Sequence, residues 1–177
     1  MSRMARLNVA VARRTLLAVA LVGALSWGLP SRAEDVSTAQ PVELEADVEM
    51  TRLARHAHES VNQYRRDRDL PPLSFNIHIS QQAAIHSQNM AQQVVKFSHQ
   101  GFKHRVEALE SQIVYLRAAE NVAYNQGYQD PVQQAIASWL DSENHHKHII
   151  GDFNLTGIGV AKNERGEYYF TQIFIKD

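Results

Sequence analysis

Apolar residues recur at three- and four-residue spacing from about residue 43 to 68. Met50, Leu53, Ala54, Ala57, Val61 and Tyr64 form one stripe along an amphipathic helix. Pro71-Pro72 ends it, because proline removes a backbone donor and pushes the preceding residue out of the helical region. A second helical pattern covers 76–95, with Asn76 as N-cap and Ile79, Ala83, Met90 and Val94 facing inward. Residues 96–112 combine a loop, Phe97-Ser98-His99-Gln100-Gly101, with a short helix from Arg105 to Leu109. Ile113 to Ala123 predicts a strand with Glu120 and Asn121 near its end, and Asn125 to Asp130 predicts a turn. Pro131 suits the first position of a helix that carries Val132, Ile136, Trp139 and Leu140. Two β runs close the chain, Gly157 to Ala161 and Tyr168 to Ile175, joined by a turn at Asn163-Glu164-Arg165-Gly166. The last run is apolar on both faces, as in a strand covered on both sides. Helices followed by strands near the end predict an α+β layered domain.

The N-terminus reads differently. Arg3, Arg6, Arg13 and Arg14 precede an apolar run from Leu16 to Leu29, and Ser31-Arg32-Ala33 resembles a small-x-small cleavage site. This order predicts a secretory signal peptide over residues 1–33. The apolar run is shorter than the ~20 residues that cross a bilayer as a helix. Arg13-Arg14 also permits twin-arginine export, although Ala12 stands where Ser or Thr is favoured. Cleavage removes five arginines and leaves 13 basic residues against 19 acidic, a net charge of −6 with histidine neutral. That balance does not indicate a nucleic-acid surface. Residues 34–45 predict a flexible tail, and residues 46–177 a single domain with enough chain for a core. The chain has no cysteine, which excludes disulfides, a thiolate metal site and a cysteine nucleophile.

Imidazole is both the commonest metal ligand and a frequent hydrogen-bonded structural group. Three of the nine histidines crowd into Ser142–Ile150. His145 and His148 share a helix face there, while His146 points elsewhere. A pair three residues apart needs further ligands to hold a metal, and the plain alternative is a polar helix face. His56, His58 and His78 read as solvated surface, and His86 as a satisfied structural histidine beside the second apolar stripe. His104 stands between Lys103 and Arg105.

The motifs acquire meaning in order. Asn62-x-x-Arg65 precedes Leu70-Pro71-Pro72-Leu73. Ala83-Ala84-Ile85-His86-Ser87-Gln88-Asn89-Met90, Phe97-Ser98-His99-x-Gly101, Arg105 and Glu120-Asn121-Val122-Ala123 follow. Trp139-Leu140-Asp141-Ser142-x-x-His145, Ile158-Gly159-Val160 and Tyr169-Phe170-Thr171-Gln172-Ile173-Phe174 complete the set. The ordered set resembles the CAP superfamily of cysteine-rich secretory, antigen 5 and pathogenesis-related proteins, in its bacterial, cysteine-free SCP-like branch. The resemblance implies a three-layer α-β-α sandwich with a mostly antiparallel central sheet, residues 46–177 being the CAP domain. It implies a ligand-binding cleft of His99, Glu120, Asn121, Ser142 and His145, with His99 and His145 as metal ligands. Ser142 stands where eukaryotic members carry a second Glu, His148 replaces a common Asn, and Asp69 replaces a helix-ending Gly.

Two imidazoles with one carboxylate suit zinc on ligand type, and copper or nickel equally. Glu120 has three available roles: direct ligand, hydrogen-bond partner that orients a ligating histidine, or catalytic base toward bound water. Binding weakens as the histidines protonate below pH ~6. Asn121 reads as a brace or a ligand contact, Ser142 as a helix cap or a cleft residue, and Arg65 and Arg105 as ion-pair or backbone partners. The expected function is a secreted binding module for an extracellular ligand, whether lipid, cell-wall component or protein. The alternatives are a metal-assisted hydrolase of peptide, nucleic acid or cell-wall polymer, and an envelope scaffold with a vestigial cleft. The hydrolase lacks a His-Glu-x-x-His helix, a Gly-x-Ser-x-Gly elbow and a cysteine nucleophile.

Overall fold

The computed structural model describes residues 39–177, with side chains from residue 45. The signal segment expected over 1–33 lies outside the described residues. Helix α1 (Ala39–Arg66) begins within the stretch expected as a tail, and the turn after it closes on Asp69, whose φ of 57° is the left-handed geometry expected of a residue in place of glycine. A two-residue strand β1 (Ser74–Phe75) follows; it is too short to leave a pattern in the sequence. Helix α2 (Ile77–Ala91) starts on Asn76, whose side chain accepts from the amides of His78 and Ile79 as an N-cap. Helix α3 (Phe102–Glu107) is short. Strand β2 (Arg117–Gln126) leads through Gly127 to α4 (Pro131–Asp141) and α5 (Glu143–Ile149). Strands β3 (Leu155–Lys162) and β4 (Glu167–Lys176) end the chain.

Several boundaries differ from expectation, the short helix running over Phe102–Glu107 rather than Arg105 to Leu109. The second helix stops four residues early because Gln93 turns left-handed, at φ 59°, while the amides of Val94 and Val95 both fold back onto the Asn89 carbonyl. Val94, expected inside, is therefore exposed. The strand expected over 113–123 starts later and runs on to Gln126, so Glu120 and Asn121 sit in its middle rather than near its end. Val114 and Leu116, apolar but exposed, belong to the loop before it.

The sheet is mixed, in the order β1-β3-β4-β2. β1 runs parallel to β3, and the longer pairs β3–β4 and β2–β4 are antiparallel. β4 is central, which explains its apolar character on both faces. Helices cover the sheet on both sides, giving the three-layer α-β-α sandwich. On one side Phe170, Phe174, Ile158 and Val160 pack with Leu53, Val61, Ile136 and the fully buried Trp139 of α1 and α4. On the other, Ile173 and Ile175 pack with Ile79 and Ala83 of α2 and Val106 of α3.

α2 lies on β3 without side chains between them. A Cβ added at Gly157 would stand 2.1 Å from Ser80 N, and one at Gly159 would stand 2.0 Å from Ala84 N. The serines of α2 use this closeness. Ser80 Oγ donates to the Ile158 carbonyl at 2.6 Å, and Ser87 Oγ to the Gly159 carbonyl at 3.0 Å. Across the other layer, Arg65 donates to the carbonyls of Pro71, Ile149 and Gly151, tying the end of α1 to the turn after α5. His58 is not the solvated residue expected. It donates to the Leu73 carbonyl at 2.9 Å and meets Phe75 edge-on, so it fixes the chain after Pro71-Pro72.

Candidate functional site

β2 is an outer strand, and alternate residues on it face opposite layers. Glu120 therefore points toward α2 and α3, and its neighbour Asn121 toward α5. This single alternation sets up the site, because each side chain fixes a different group at the same edge of the sheet.

On the Glu120 side, Arg105 presents its guanidinium fork. Nε donates to Oε2 at 2.9 Å and Nη2 to Oε1 at 2.8 Å. His99 adds a third donor, Nδ1 to Oε1 at 3.0 Å. The Glu120 side chain is 1% exposed and that of His99 50% exposed. With Nδ1–H directed at the carboxylate, the neutral ring of His99 carries its lone pair on Nε2. The loop that bears His99 is pinned through its main chain as well. Phe102 N–H donates to the His99 carbonyl, and Arg105 Nη1 to the Gln100 carbonyl.

On the Asn121 side, the amide Nδ2 donates to the His145 carbonyl at 3.1 Å, and Oδ1 accepts from His148 Nδ1 at 2.8 Å. Asn121 is fully buried. It acts as the brace that seats α5, and it fixes the tautomer of His148. Burial first, then the neighbouring His99, holds the His145 imidazole below its usual pKa. Burial first, then Lys147, His145 and His99, lowers His148, with the Glu120 carbonyl opposing. Both rings are thus favoured in the neutral, nitrogen-donor form.

The two sides meet over the strand edge, where the rings of His99 and His145 stand 6.1 Å apart by centroid, tilted at 46°. Of the residues singled out in the sequence, His99, Glu120 and His145 do come together. His146 does point away. It bonds to the Tyr64 hydroxyl at 2.8 Å and stacks edge-on against that ring, joining α5 to α1. Ser142 is the N-cap residue of α5, at its junction with α4, but its hydroxyl makes no capping bond. His86 is the satisfied structural histidine expected, donating through Nε2 to the Ser98 carbonyl at 2.8 Å. The roles of Arg105 and Asn121 rest on pairings across 15 and 24 residues of chain, which no local pattern reveals.

Among the described residues, no group of three or more His, Cys, Asp or Glu side chains is placed to hold a metal ion. Two histidine nitrogens are what the cleft offers. A groove of about 570 Å³ between α1 and α2 shares no residue with the cleft. No helix among the described residues is long and apolar enough to cross a membrane.

No curated protein is matched by this chain. Among solved structures it resembles an extracellular protein containing an SCP domain from Bacillus anthracis str. Ames, with a TM-score of 0.62 at 24% identity, over 72% of this chain and 41% of that one. A cysteine-rich secretory protein from Staphylococcus aureus subsp. aureus Mu50 gives a TM-score of 0.57 at 21% identity, over 72% and 39%. An outer surface protein from Borrelia burgdorferi gives 0.60 at 15% identity, over 71% and 92%. At such identities the likeness is one of fold. The chain spans about two fifths of the Bacillus and Staphylococcus structures. The model of the cysteine-rich secretory protein family, CAP, matches residues 58–174. That match covers more than half of the chain and the fold agrees with it, so this protein, without a single cysteine, belongs to the CAP family.

Proposed function

We propose that this CAP domain is an exported binding module that takes a divalent cation between His99 and His145 and an extracellular ligand over it, with no covalent chemistry. The observation that supports this reading most is the approach of the two imidazoles, with His99 tied back through Nδ1 so that Nε2 is its available donor. Two rings sharing one tetrahedral ion through bonds of about 2.0–2.1 Å stand about 5 Å apart by centroid. The observed spacing is about 1 Å wider, at 6.1 Å. Zinc suits the donors, as do copper and nickel. A cation held by two protein nitrogens supplies a Lewis-acidic centre with open positions for a ligand or water.

Export rests on the order of arginines, apolar run and small residues over 1–33. The extracellular and outer-surface descriptions of two structural relatives agree with it. Glu120 has the environment of a positioning group. An ionised carboxylate has about four acceptor directions, and three N–H donors already address this one in a buried site. The hydrolase reading needs a base that faces water, whereas the Glu120 side chain is 1% exposed and engaged by three donors. Ser142, with its hydroxyl not engaged in capping, stands three residues before His145 as a further polar contact for a ligand.

Zinc titration calorimetry on the wild type and on His99→Ala/His145→Ala tests the reading. One-to-one binding that disappears in the double variant is expected. Equal binding in both, or none in either, removes the cation. With zinc bound, titration against phospholipid vesicles, cell-wall fragments and secreted proteins then separates the ligand classes.

A further inference from the structure

Residues 98–101 have no regular secondary structure beyond a turn, yet four consecutive carbonyls there are taken. His86 Nε2 reaches the Ser98 carbonyl at 2.8 Å, Phe102 N–H the His99 carbonyl at 3.1 Å, Arg105 Nη1 the Gln100 carbonyl at 2.9 Å, and Arg105 N–H the Gly101 carbonyl at 3.1 Å. Three of these four donors belong to α3, which follows the loop directly. His86 is different. It sits on α2, and α2 is seated backbone to backbone on β3 at Gly157 and Gly159. Its bond refers the loop to the sheet through α2, beside the separate route through Arg105, whose guanidinium joins the Gln100 carbonyl to Glu120 of β2.

We infer that His86 is a positioning residue for the cleft: through the Ser98 carbonyl it sets where His99 stands relative to β2 and His145. The imidazole is 2% exposed with the loop in place, so its N–H has the Ser98 carbonyl as partner in a site closed to solvent. Glu120 restrains the ring of His99 from the strand, and His86 restrains the main chain one residue earlier. The two restraints act on adjacent points, from a strand and a helix that are rigidly joined. This is the arrangement that outer-shell partners provide for metal-binding histidines, where their loss commonly weakens metal affinity by roughly 10–100-fold. The assignment of a cation to the cleft is the reading proposed above; the loop restraint itself does not depend on it.

Two substitutions separate hydrogen bonding from packing. Leucine at this position fills most of the space and donates nothing. Glutamine places an amide N–H near the position of imidazole Nε2. The full exported protein and its His86→Leu and His86→Gln variants are compared by zinc calorimetry and by amide hydrogen exchange at Gln100 and Phe102, with thermal melting as the control for folding. The expected result is faster exchange at both amides and about tenfold weaker zinc binding in His86→Leu, with both largely restored in His86→Gln. Unchanged exchange in a folded His86→Leu overturns the inference, as does a glutamine variant no better than the leucine one. If the wild type binds no zinc, the cation reading fails, and the exchange arm still decides the role of His86. If exchange responds but zinc affinity does not, His86 orders the loop without governing the cleft, and the inference fails in that form.

Discussion

Removing the charge of Arg105 while keeping its bulk, as in Arg105→Leu, isolates the interaction on which the site is built. Glu120 would retain one donor of three, His99 Nδ1, inside a site where its side chain is 1% exposed. Breaking a buried pair from one side typically costs about 3–5 kcal/mol, because the remaining charge is left without compensation. The Gln100 carbonyl loses its partner too, worth about 1 kcal/mol more. A domain of this size has roughly 5–15 kcal/mol of stability in total, so urea unfolding followed by circular dichroism resolves the loss easily. The diagnostic variant is Arg105→Leu/Glu120→Leu. Both charges then leave together, and stability returns most of the way to wild type, since an apolar pair of similar volume often replaces a buried ion pair without loss. A single variant that loses less than about 1 kcal/mol would place the pair in the class of solvent-screened surface bridges. A double variant as unstable as the sum of both singles would show that the two side chains do not act as a unit. Either result refutes the reasoning.

Two glycines test the layer contact. Gly159→Ala drives a Cβ to 2.0 Å from Ala84 N and is expected to cost about 3 kcal/mol or more, whereas Gly166→Ala, at φ 77° with nothing within 4 Å, costs about 1–2 kcal/mol; equal thermal melts would contradict the close packing of α2. Stability should also fall in acid through His86. Burial first, then Arg105 and His99, lowers its pKa, with the Ser98 bond and Glu120 opposing. A histidine whose folded pKa lies below the unfolded value of about 6.5 stabilises the neutral protein and loses that contribution as pH falls through the folded pKa. The urea midpoint should therefore drop between pH 7.5 and pH 5.5, and drop less in His86→Gln. The same slope in both proteins would exclude His86 as its source.

Local chemistry made much of this fold legible. The stripe from Met50 to Tyr64, the Asn76 cap, Pro131 at a helix start and the two-sided apolar run of β4 each follow from a few neighbouring residues. What failed depended on distant partners. Val114 and Leu116 looked like strand residues because they are apolar, but nothing covers them. His58 looked solvated because its neighbours are charged, yet its acceptor is 15 residues away. Within the site, the resemblance singled out His99, Glu120 and His145. The sequence left the role of Glu120 open among three possibilities, and its environment is decided by Arg105, the one neighbour whose pairing spacing could not reveal.

The two cleft imidazoles hang from different layers of the sandwich, His99 from the α2–α3 side and His145 from the α5 side, and they meet only around the rim of β2. Their separation therefore works as a caliper on the thickness of the molecule. α1 grips the His145 side through Arg65 and through the Tyr64–His146 contact. α1 is bonded in this way to the jaw that carries His145, the one on its own side of the sheet. Anything lodged between the jaws clamps the two layers to one another in return.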